Sequence, residues 1–234
     1  MCEAFAKGCG GTVVLDFEPR PGIAVIHGMA FRQRRIMQFA GDWFEIDHGY
    51  LGRGDYHRVT HKALWTDGAG APDHERLAHF KLALRPWGKR SGDVLLAAQT
   101  DAAYEMDGTT RDKWVSDASR AVRRCSKRHA LIRYKPIGQH RLQPPLAKIL
   151  PMIWALVTHT SSAALEALAA GVPAIVTNQR FPAALLGTTF ENIETPNMPS
   201  AEARLDLFAR LAAQQWNLDE MRSGKCWEAL HGNR

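Results

Sequence analysis

The sequence contains no apolar run close to the roughly 20 residues that a membrane-spanning helix requires. Its N-terminus, MCEAFAKGCG, lacks the basic-then-apolar order of a secretory signal peptide. The four cysteines are scattered and none belongs to a CxxC pair, so neither a zinc site nor a disulfide framework is indicated. We therefore expect a cytoplasmic protein with free thiols and without a metal site.

Positive charge is in excess. The formal net charge of +6 and the pI near 9.3 favour an anionic partner, but they do not choose between a nucleotide, a nucleic acid and an acidic glycan. Three arginines, Arg32, Arg34 and Arg35, form one cluster in FRQRR. A second cluster lies between Arg120 and Arg128 on a predicted helix, and we interpret it as a solvated helix face.

The first part of the chain alternates between strand and helix patterns. Apolar runs predict strands at 12–17 (TVVLDF), 23–26 (IAVI) and 43–46 (WFEI), with a helix before the glycine stop at Gly41. The segment 47–65 is rich in Gly, His, Tyr and Arg and shows no clean period, so it is predicted to be a long loop, either functional or mobile.

A second αβ series follows the polar segment 87–93. Its pattern predicts strands and helices in alternation, which is typical of a parallel, doubly wound α/β sheet. The chain is thus expected to divide into two unequal αβ halves, 1–88 and 89–216, followed by a C-terminal helix or tail, 217–234. Ligands of open αβ sheets gather outside the carboxyl ends of the strands, so the crevice between the halves is the expected ligand site.

The segment 155–176, ALVTHTSSAALEALAAGVPAIV, predicts one compact strand–turn–helix–strand unit. Backbone N–H groups and the positive end of a helix dipole meet at its polar turn, which favours a phosphate there. The alternative is that Thr160 or Ser161 merely caps the helix while Glu166 faces solvent. The residues of this turn are Thr158, His159, Thr160, Ser161 and Ser162.

Two other strands end in polar residues. Gln99 follows one predicted strand, and Arg133 and Lys135 close another, IRYKP. Parallel neighbouring strands bring such ends to one edge of a sheet, where an arginine fork and a lysine charge suit a diphosphate. Glu166, one turn into the helix, can accept the two hydroxyls of a ribose.

These segments resemble the C-terminal donor-binding half of GT-B glycosyltransferases. The likeness covers residues 93–180 and is strongest to capsule-polysaccharide transferases and related phage-encoded proteins. It implies a GT-B-like α/β fold of two Rossmann-like halves, of which the N-terminal, acceptor-side half is reduced. It also implies a nucleotide-sugar co-substrate, with UDP-sugars as the expected donors, and no further cofactor.

The resemblance assigns the donor site residue by residue. Arg133, Lys135, Ser161 and Ser162 are expected to hold phosphate and Glu166 the ribose. Gly171 and Pro173 are expected to shape the turn into the next strand. The turn residues and Gln99 complete this set. The same architecture serves nucleotide-sugar epimerases, so it supports a nucleotide-sugar site more firmly than transfer.

The first half offers candidates for the acceptor side. DHGYLGRGDYHRVT resembles a segment of the same phage proteins, and inverting transfer needs a general base near the acceptor hydroxyl. Asp47 is the first candidate for that base, followed by His48 and Asp16. The remaining acceptor-side candidates are Gly28, Tyr50, Arg53 and Arg58. Gly28 can admit a ligand or serve only the turn, and the two arginines can bind an anion or pin carboxylates.

The function expected from these residues is transfer of a sugar to an acceptor hydroxyl. The phage-like resemblance and the basic charge direct attention to a hydroxylated or hydroxymethylated pyrimidine in phage DNA, flipped from its duplex. A capsular or other glycan acceptor stays open, as do a nucleotide-sugar epimerase or hydrolase. A non-catalytic nucleotide-binding protein is a further alternative, because 234 residues are few for two full GT-B domains.

Overall fold

The computed structural model describes residues 1–14, 18, 20–28, 31–66, 68–88, 91–135 and 142–231, with the side chains of 31–34 left out. These residues form two compact units. Unit 1 comprises Met1–Phe80 and Ala209–Arg234, and unit 2 comprises Lys81–Phe208. Each unit contains a sheet and helices, which confirms the predicted α/β class. The last segment of the chain returns to unit 1, whereas the sequence analysis set 217–234 apart.

Strands and helices alternate through most of the described chain. The strands are β1 (Ile23–His27), β2 (Asp42–His48), β3 (Tyr56–His61), β4 (Val94–Ala98), β5 (Ala130–Tyr134), β6 (Ala155–Thr158), β7 (Ala174–Val176) and β8 (Gln215–Asn217). The helices are α1 (Cys2–Cys9), α2 (Phe31–Phe39), α3 (His74–His79), α4 (Ala102–Glu105), α5 (Arg111–Cys125), α6 (Leu146–Ile149), α7 (Ala163–Ala169), α8 (Ala201–Ala213), α9 (Leu218–Arg222) and α10 (Lys225–His231). Among these helices none combines the length and apolar character of a membrane span.

Unit 1 contains a mixed sheet with the strand order β1-β2-β3-β8. β1 and β2 are parallel, while β3 is antiparallel to both of its neighbours. The prediction of a long loop at 47–65 is wrong, because β3 occupies part of it. Its side chains include His57, Arg58 and His61, whose polarity hid the strand pattern from sequence inspection. The predicted strand at 12–17 is also absent at 12–14, and its other residues lie outside the described ones.

One face of this sheet forms the core of unit 1. Side chains alternate between the two faces of a strand, so Phe44 and Ile46 of β2 lie on the same side as Val59 of β3. They pack with Phe5 of α1 and Met221 of α9, and all five are nearly inaccessible to solvent. The opposite face carries charged residues, which form a candidate site.

An arginine joins α3 to the returning C-terminal segment of unit 1. The guanidinium of Arg76 donates to both carboxylate oxygens of Glu220 at 2.7 Å and to the carbonyl of Ala212 at 3.0 Å. It also donates to the carbonyl of Gln215, at the start of β8. Glu220 in turn accepts from the N–H of Asn217 in the capping box of α9. The edge strand β8 is therefore attached to the unit by side chains as well as by its strand pairing.

Unit 2 contains a parallel sheet with the strand order β5-β4-β6-β7. The sequence predicted all four of these strands and helices α5 and α7 between them. From β4 the chain crosses to β5 on one side, and from β6 it crosses to β7 on the other. The direction of winding therefore reverses between β4 and β6, and such a reversal is the usual ligand-binding point of a doubly wound sheet.

The turn after α7 requires a glycine, as the resemblance implies. Gly171 has φ of +66°, and a Cβ at this position would lie 2.4 Å from the carbonyl oxygen of Pro86. Both the left-handed backbone and the close approach of another chain segment exclude larger residues. This turn sets the start of β7 beside β6.

We expect Arg76→Lys to destabilise the protein by about 2 kcal/mol, because an ammonium cannot replace the forked contacts to Glu220 and the two carbonyls. Arg222→Lys is the matched control, since Arg222 and its partner Asp219 are largely exposed. The control should cost less than about 0.5 kcal/mol. Urea unfolding followed by tryptophan fluorescence measures both. Equal effects of the two changes would contradict the structural role of Arg76.

Candidate functional site

The polar edge of unit 2 lies where β4 and β6 end side by side. The side-chain oxygen of Gln99, directly after β4, accepts the backbone N–H of Thr160 at 2.8 Å and its hydroxyl at 3.3 Å. The N–H of Gln99 donates to the hydroxyl of Tyr104 at 2.9 Å. Gln99 thus ties the ends of two neighbouring strands together at the reversal point of the sheet.

The structure brings the predicted turn residues to this edge but gives them different accessibility. Thr158 is fully buried, and its hydroxyl donates to the carbonyl of Ala97 at 2.9 Å. Thr160 is buried too, whereas Ser161 and Ser162 are half-buried. The Ser161 hydroxyl accepts the N–H of Ala163 at 3.2 Å. Thr158 therefore has a structural role at the polar edge. The hydroxyls of Ser161 and Ser162 are more accessible to a ligand.

Asp107 connects the ends of β6 and β7. One of its carboxylate oxygens lies 2.8 Å from Nε2 of His159 and accepts from the side-chain amide of Asn178 at 2.5 Å. The other oxygen accepts from Arg180 at 2.5 Å. His159, Asn178 and Arg180 all follow the carboxyl ends of these strands. A single carboxylate from the loop after α4 consequently fixes the shape of the polar edge.

Hydrogen bonds also define the proton position on His159. The indole N–H of Trp114 donates to the hydroxyl of Thr177 at 2.9 Å, which leaves that hydroxyl to donate to Nδ1 of His159 at 2.9 Å. Nε2 then carries the proton and donates to Asp107. Burial lowers the pKa of His159 although Asp107 opposes that change. We infer that His159 is neutral and positions the turn.

Two cations, Arg133 within β5 and Lys135 directly after it, lie at the end of an edge strand. Lys135 is exposed, and its backbone N–H donates to the carbonyl of Ala98 at 3.0 Å, which places it beside the end of β4. Arg133 is half-buried and donates to the side chain of Gln143 at 3.2 Å. Glu166 is exposed on α7. The strand pairing thus gathers Gln99 and Lys135 at neighbouring strand ends.

In unit 1, three charged side chains share the face of the sheet opposite the core. Arg58 donates to Glu45 at 3.2 Å and to Asp47 at 3.0 Å. Arg58 and Glu45 are almost completely buried, whereas a quarter of the Asp47 side chain is exposed. Arg58 therefore pins two carboxylates, as the second interpretation of the sequence had it. Its guanidinium is not open to an anionic acceptor.

The buried carboxyl of this cluster is Glu45. Burial raises the pKa of Glu45 from 4.5 to about 8, against the opposing effect of Arg58. The hydroxyl of Thr60 lies 3.5 Å from its other oxygen. Near neutral pH this carboxyl holds a proton, and Asp47 is then the remaining anionic partner of Arg58.

The base candidates of unit 1 lie at the end of β2. One oxygen of Asp47 accepts the N–H of His48 at 2.7 Å while the other accepts from Arg58, so both oxygens are engaged. His48 is exposed and faces His57 across the strand pair. Burial lowers the pKa of His57, and His48 and His27 lower it further. Asp47 and His48 are thus adjacent, with His48 the more accessible.

The other acceptor-side candidates have separate settings. The ring of Tyr50 lies 5.5 Å from the Arg58 guanidinium, and its hydroxyl accepts from the N–H of Thr66 at 3.4 Å. Arg53 is exposed in the turn before β3. Gly28 has φ of +73° with open space around it, which favours glycine for the turn itself. Asp16 lies outside the described residues.

Sequence inspection missed Asp107 and Glu45. The contact between Asp107 and His159 spans 52 residues, and no local pattern marks it. Glu45 does carry a signal, because it alternates with Asp47 in a strand whose central side chains, Trp43, Phe44 and Ile46, are otherwise apolar. Two carboxylates on one face of a strand require a cation opposite them.

The geometry defines a Rossmann-like α/β unit with a polar edge, accompanied by a mixed αβ unit with a buried charge cluster. Comparison of the chain with models of protein families and with curated proteins finds no match.

We expect Asp107→Asn to destabilise the protein by about 2 kcal/mol. An amide there cannot accept from His159, Asn178 and Arg180 together, and it loses the charge that faces Arg180. Asp112→Asn in the same unit is the control, because Asp112 is 83% exposed, and it should cost under about 0.5 kcal/mol. Thermal and urea unfolding give both values. A loss no larger than that of the control would contradict the role of Asp107.

The raised pKa of Glu45 predicts a pH-dependent stability. Between pH 4.5 and about 8 the folded protein keeps a proton that the unfolded chain has lost, so the free energy of unfolding falls as pH rises through this window. Glu45→Gln removes this proton linkage and should flatten the curve by at least about 1 kcal/mol. Glu75→Gln, an exposed change, should leave the curve as it is. Urea unfolding across the window tests this, and an unaltered curve for Glu45→Gln would mean that Glu45 is ionised when folded.

Proposed function

We propose that the protein is a GT-B-type glycosyltransferase that uses a nucleotide sugar without a metal ion. The observation that carries the proposal is the polar edge of unit 2 at the point where the winding of its parallel sheet reverses. Nucleotides bind at such points in doubly wound sheets. The resemblance of residues 93–180 to donor-binding halves adds the reaction class.

In the proposed complex, unit 2 binds the donor. Lys135 and Arg133 face the diphosphate, and the accessible hydroxyls of Ser161 and Ser162 donate to its oxygens. Glu166 accepts from the ribose hydroxyls. Gln99, Thr160 and His159 hold the edge in shape through the hydrogen bonds that connect strands β4, β6 and β7. A UDP-sugar is the expected co-substrate.

Unit 1 supplies the base in this proposal. The acceptor oxygen attacks the anomeric carbon, the bond from that carbon to the diphosphate breaks, and the nucleoside diphosphate leaves with the bonding electrons. The acceptor proton passes to Asp47 or, with its better access, to His48. Cations at the donor phosphates stabilise the charge that develops on the leaving group.

The acceptor that we propose first is a hydroxylated or hydroxymethylated pyrimidine in DNA. The net charge of +6 supports a polyanionic acceptor. A capsular glycan is the other candidate. Transfer to DNA should weaken steeply with salt, whereas transfer to a neutral glycan should not.

A non-catalytic nucleotide-binding protein is the second candidate function. It is favoured by the engagement of both Asp47 oxygens, which accept from Arg58 and from the N–H of His48. In that case unit 2 binds the nucleotide and no sugar is transferred.

We expect Arg133→Gln combined with Lys135→Gln to weaken binding of a UDP-sugar by about tenfold or more, because two phosphate contacts are lost. Lys148→Gln, an exposed change elsewhere in unit 2, is the control and should leave binding within about twofold. Isothermal titration calorimetry measures the affinities. Equal affinities in all three proteins would contradict the proposed donor site.

We expect Asp47→Asn combined with His48→Ala to retain donor affinity and to lose transfer by about 100-fold or more, since it removes both base candidates. Asp47→Asn keeps an oxygen acceptor for Arg58, and Glu45 can ionise to replace the lost charge, so folding should survive. Mass spectrometry of modified DNA and simple glycans after incubation with nucleotide sugars measures transfer. Sugar release or epimerisation without an acceptor would identify a hydrolase or epimerase instead. Donor binding without any turnover would favour the non-catalytic alternative.

A further inference from the structure

A groove runs along α5 on the surface of unit 2. Its first cleft, of about 380 Å³, has aromatic side chains, Trp114 and Phe190, in its lining. The second cleft, of about 930 Å³, contains Arg123, Lys127 and His129. Arg124 lines both clefts, so they adjoin along the helix. Residues 190–194 provide the opposite wall, through Phe190 in the first cleft and Glu194 in the second.

The cations of the groove project from the solvent side of α5. Trp114, Val115, Ala118 and Val122 form the buried side of the helix. Arg120, Arg123 and Arg124 follow the spacing i, i+3, i+4, which places them along the opposite side, and Lys127 follows just beyond the end of the helix at Cys125. All four are exposed. The sequence predicted a solvated helix face here. The side chains are exposed, and they also border the groove.

Three of these four cations are available to bind an anionic ligand. Arg120 is paired with Asp117. Arg123 and Lys127, by contrast, have no ion pair within the described part of the chain, and Arg124 acts on Glu191, which is itself exposed. Arg123 and Arg124 lie in the last turn of α5, and Lys127 lies two residues beyond its end at Cys125. The three cations are thus close together in the chain, as contacts to one or two successive phosphates of a single strand require.

The acidic residues in the second cleft are already engaged. Glu194 accepts from the hydroxyl of Ser126 and lies 3.4 Å from Arg128. Asp93 accepts the N–H of His129 at 2.9 Å. Arg128 is fixed in turn over the ring of Trp154, 3.7 Å from its centroid. These contacts engage both carboxylates of the cleft with groups other than Arg123, Arg124 and Lys127.

The first cleft adds a flat apolar contact next to these cations. Phe190 is half-buried, and it both packs on the core of unit 2 and lines the first cleft. Aromatic rings beside a basic groove stack with unpaired bases. The large apolar side chains exposed on the described surface lie outside α5, so the stripe lacks the apolar insertion that a membrane-binding helix uses.

We propose that this groove binds a single-stranded nucleic acid, with phosphates on Arg123, Arg124 and Lys127 and a base against Phe190. Stacking on Phe190 requires an unpaired base, which selects a single strand over a duplex. The proposal is independent of glycosyl transfer, because binding needs no nucleotide sugar. A failure of one proposal therefore leaves the other standing.

The test is binding of a fluorescent oligothymidylate of about 12 nucleotides, measured by anisotropy between about 50 and 200 mM salt. The triple variant Arg123→Gln, Arg124→Gln, Lys127→Gln should bind at least about tenfold more weakly, and the slope of log affinity against log salt should fall by about 2. The control, Lys7→Gln, Lys148→Gln, Lys225→Gln, removes the same charge from exposed positions elsewhere. It should change affinity by less than about threefold. Equal losses in both triple variants would overturn the proposal.

Phe190→Leu tests the stacking contact separately, because leucine fills the core but offers no ring to a base. It should weaken binding of the oligothymidylate by about fivefold or more while the salt slope stays the same. Thermal unfolding verifies that each variant is folded. Tighter binding of a duplex of the same length, or no effect of Phe190→Leu, would overturn the assignment to a single strand.

Discussion

The polar edge of unit 2 depends on one carboxylate. Asp107 accepts from His159, Asn178 and Arg180 at distances of 2.5–2.8 Å, and these three residues follow two different strands. Because its two oxygens satisfy all three donors, the ends of β6 and β7 have one arrangement. The hydrogen bond from the N–H of Thr160 to the side chain of Gln99 then connects this region to the end of β4. The accessible serines of the turn therefore belong to a segment that hydrogen bonds within the protein hold in place.

The buried charges of unit 1 are balanced in a different way. One guanidinium, that of Arg58, faces two carboxyl groups, so the cluster would carry an excess negative charge if both were ionised. Burial disfavours such a charge strongly. The raised pKa of Glu45 relieves the conflict, because the protonated carboxyl leaves one arginine against one carboxylate. Protonation thus balances the charges of this cluster, whereas in unit 2 the carboxylate of Asp107 is balanced by hydrogen bonds from His159 and Asn178 and by the charge of Arg180.

The sequence predicted unit 2 better than unit 1. The strands of unit 2 are short apolar runs separated by helices with clear caps or glycine stops, and these signals are local. In β3 the buried face carries Arg58 and Thr60, so its polarity suggested a loop. Only the pairing with Glu45 and Asp47 explains the strand, and that pairing is not visible in the segment itself. The same limit applied to Asp107, whose partners are distant in the chain. Gln99, Thr160 and Asp47 were found because they flank recognisable strands, and Arg58 because its segment resembles a segment of the phage-encoded proteins.

The strand β8 gives the chain an order of assembly. It pairs with β3 through Gln215 and Trp216, although most of a polypeptide separates them. On the ribosome, unit 2 is complete before β8 has been synthesised. Until then, the edge of β3 in the first 80 residues lacks its partner strand. Unit 2 is therefore an insertion in the sequence of unit 1, and its early folding shortens the flexible connection between the two segments of unit 1. The cost of closing that long loop is lowered before the last strand arrives.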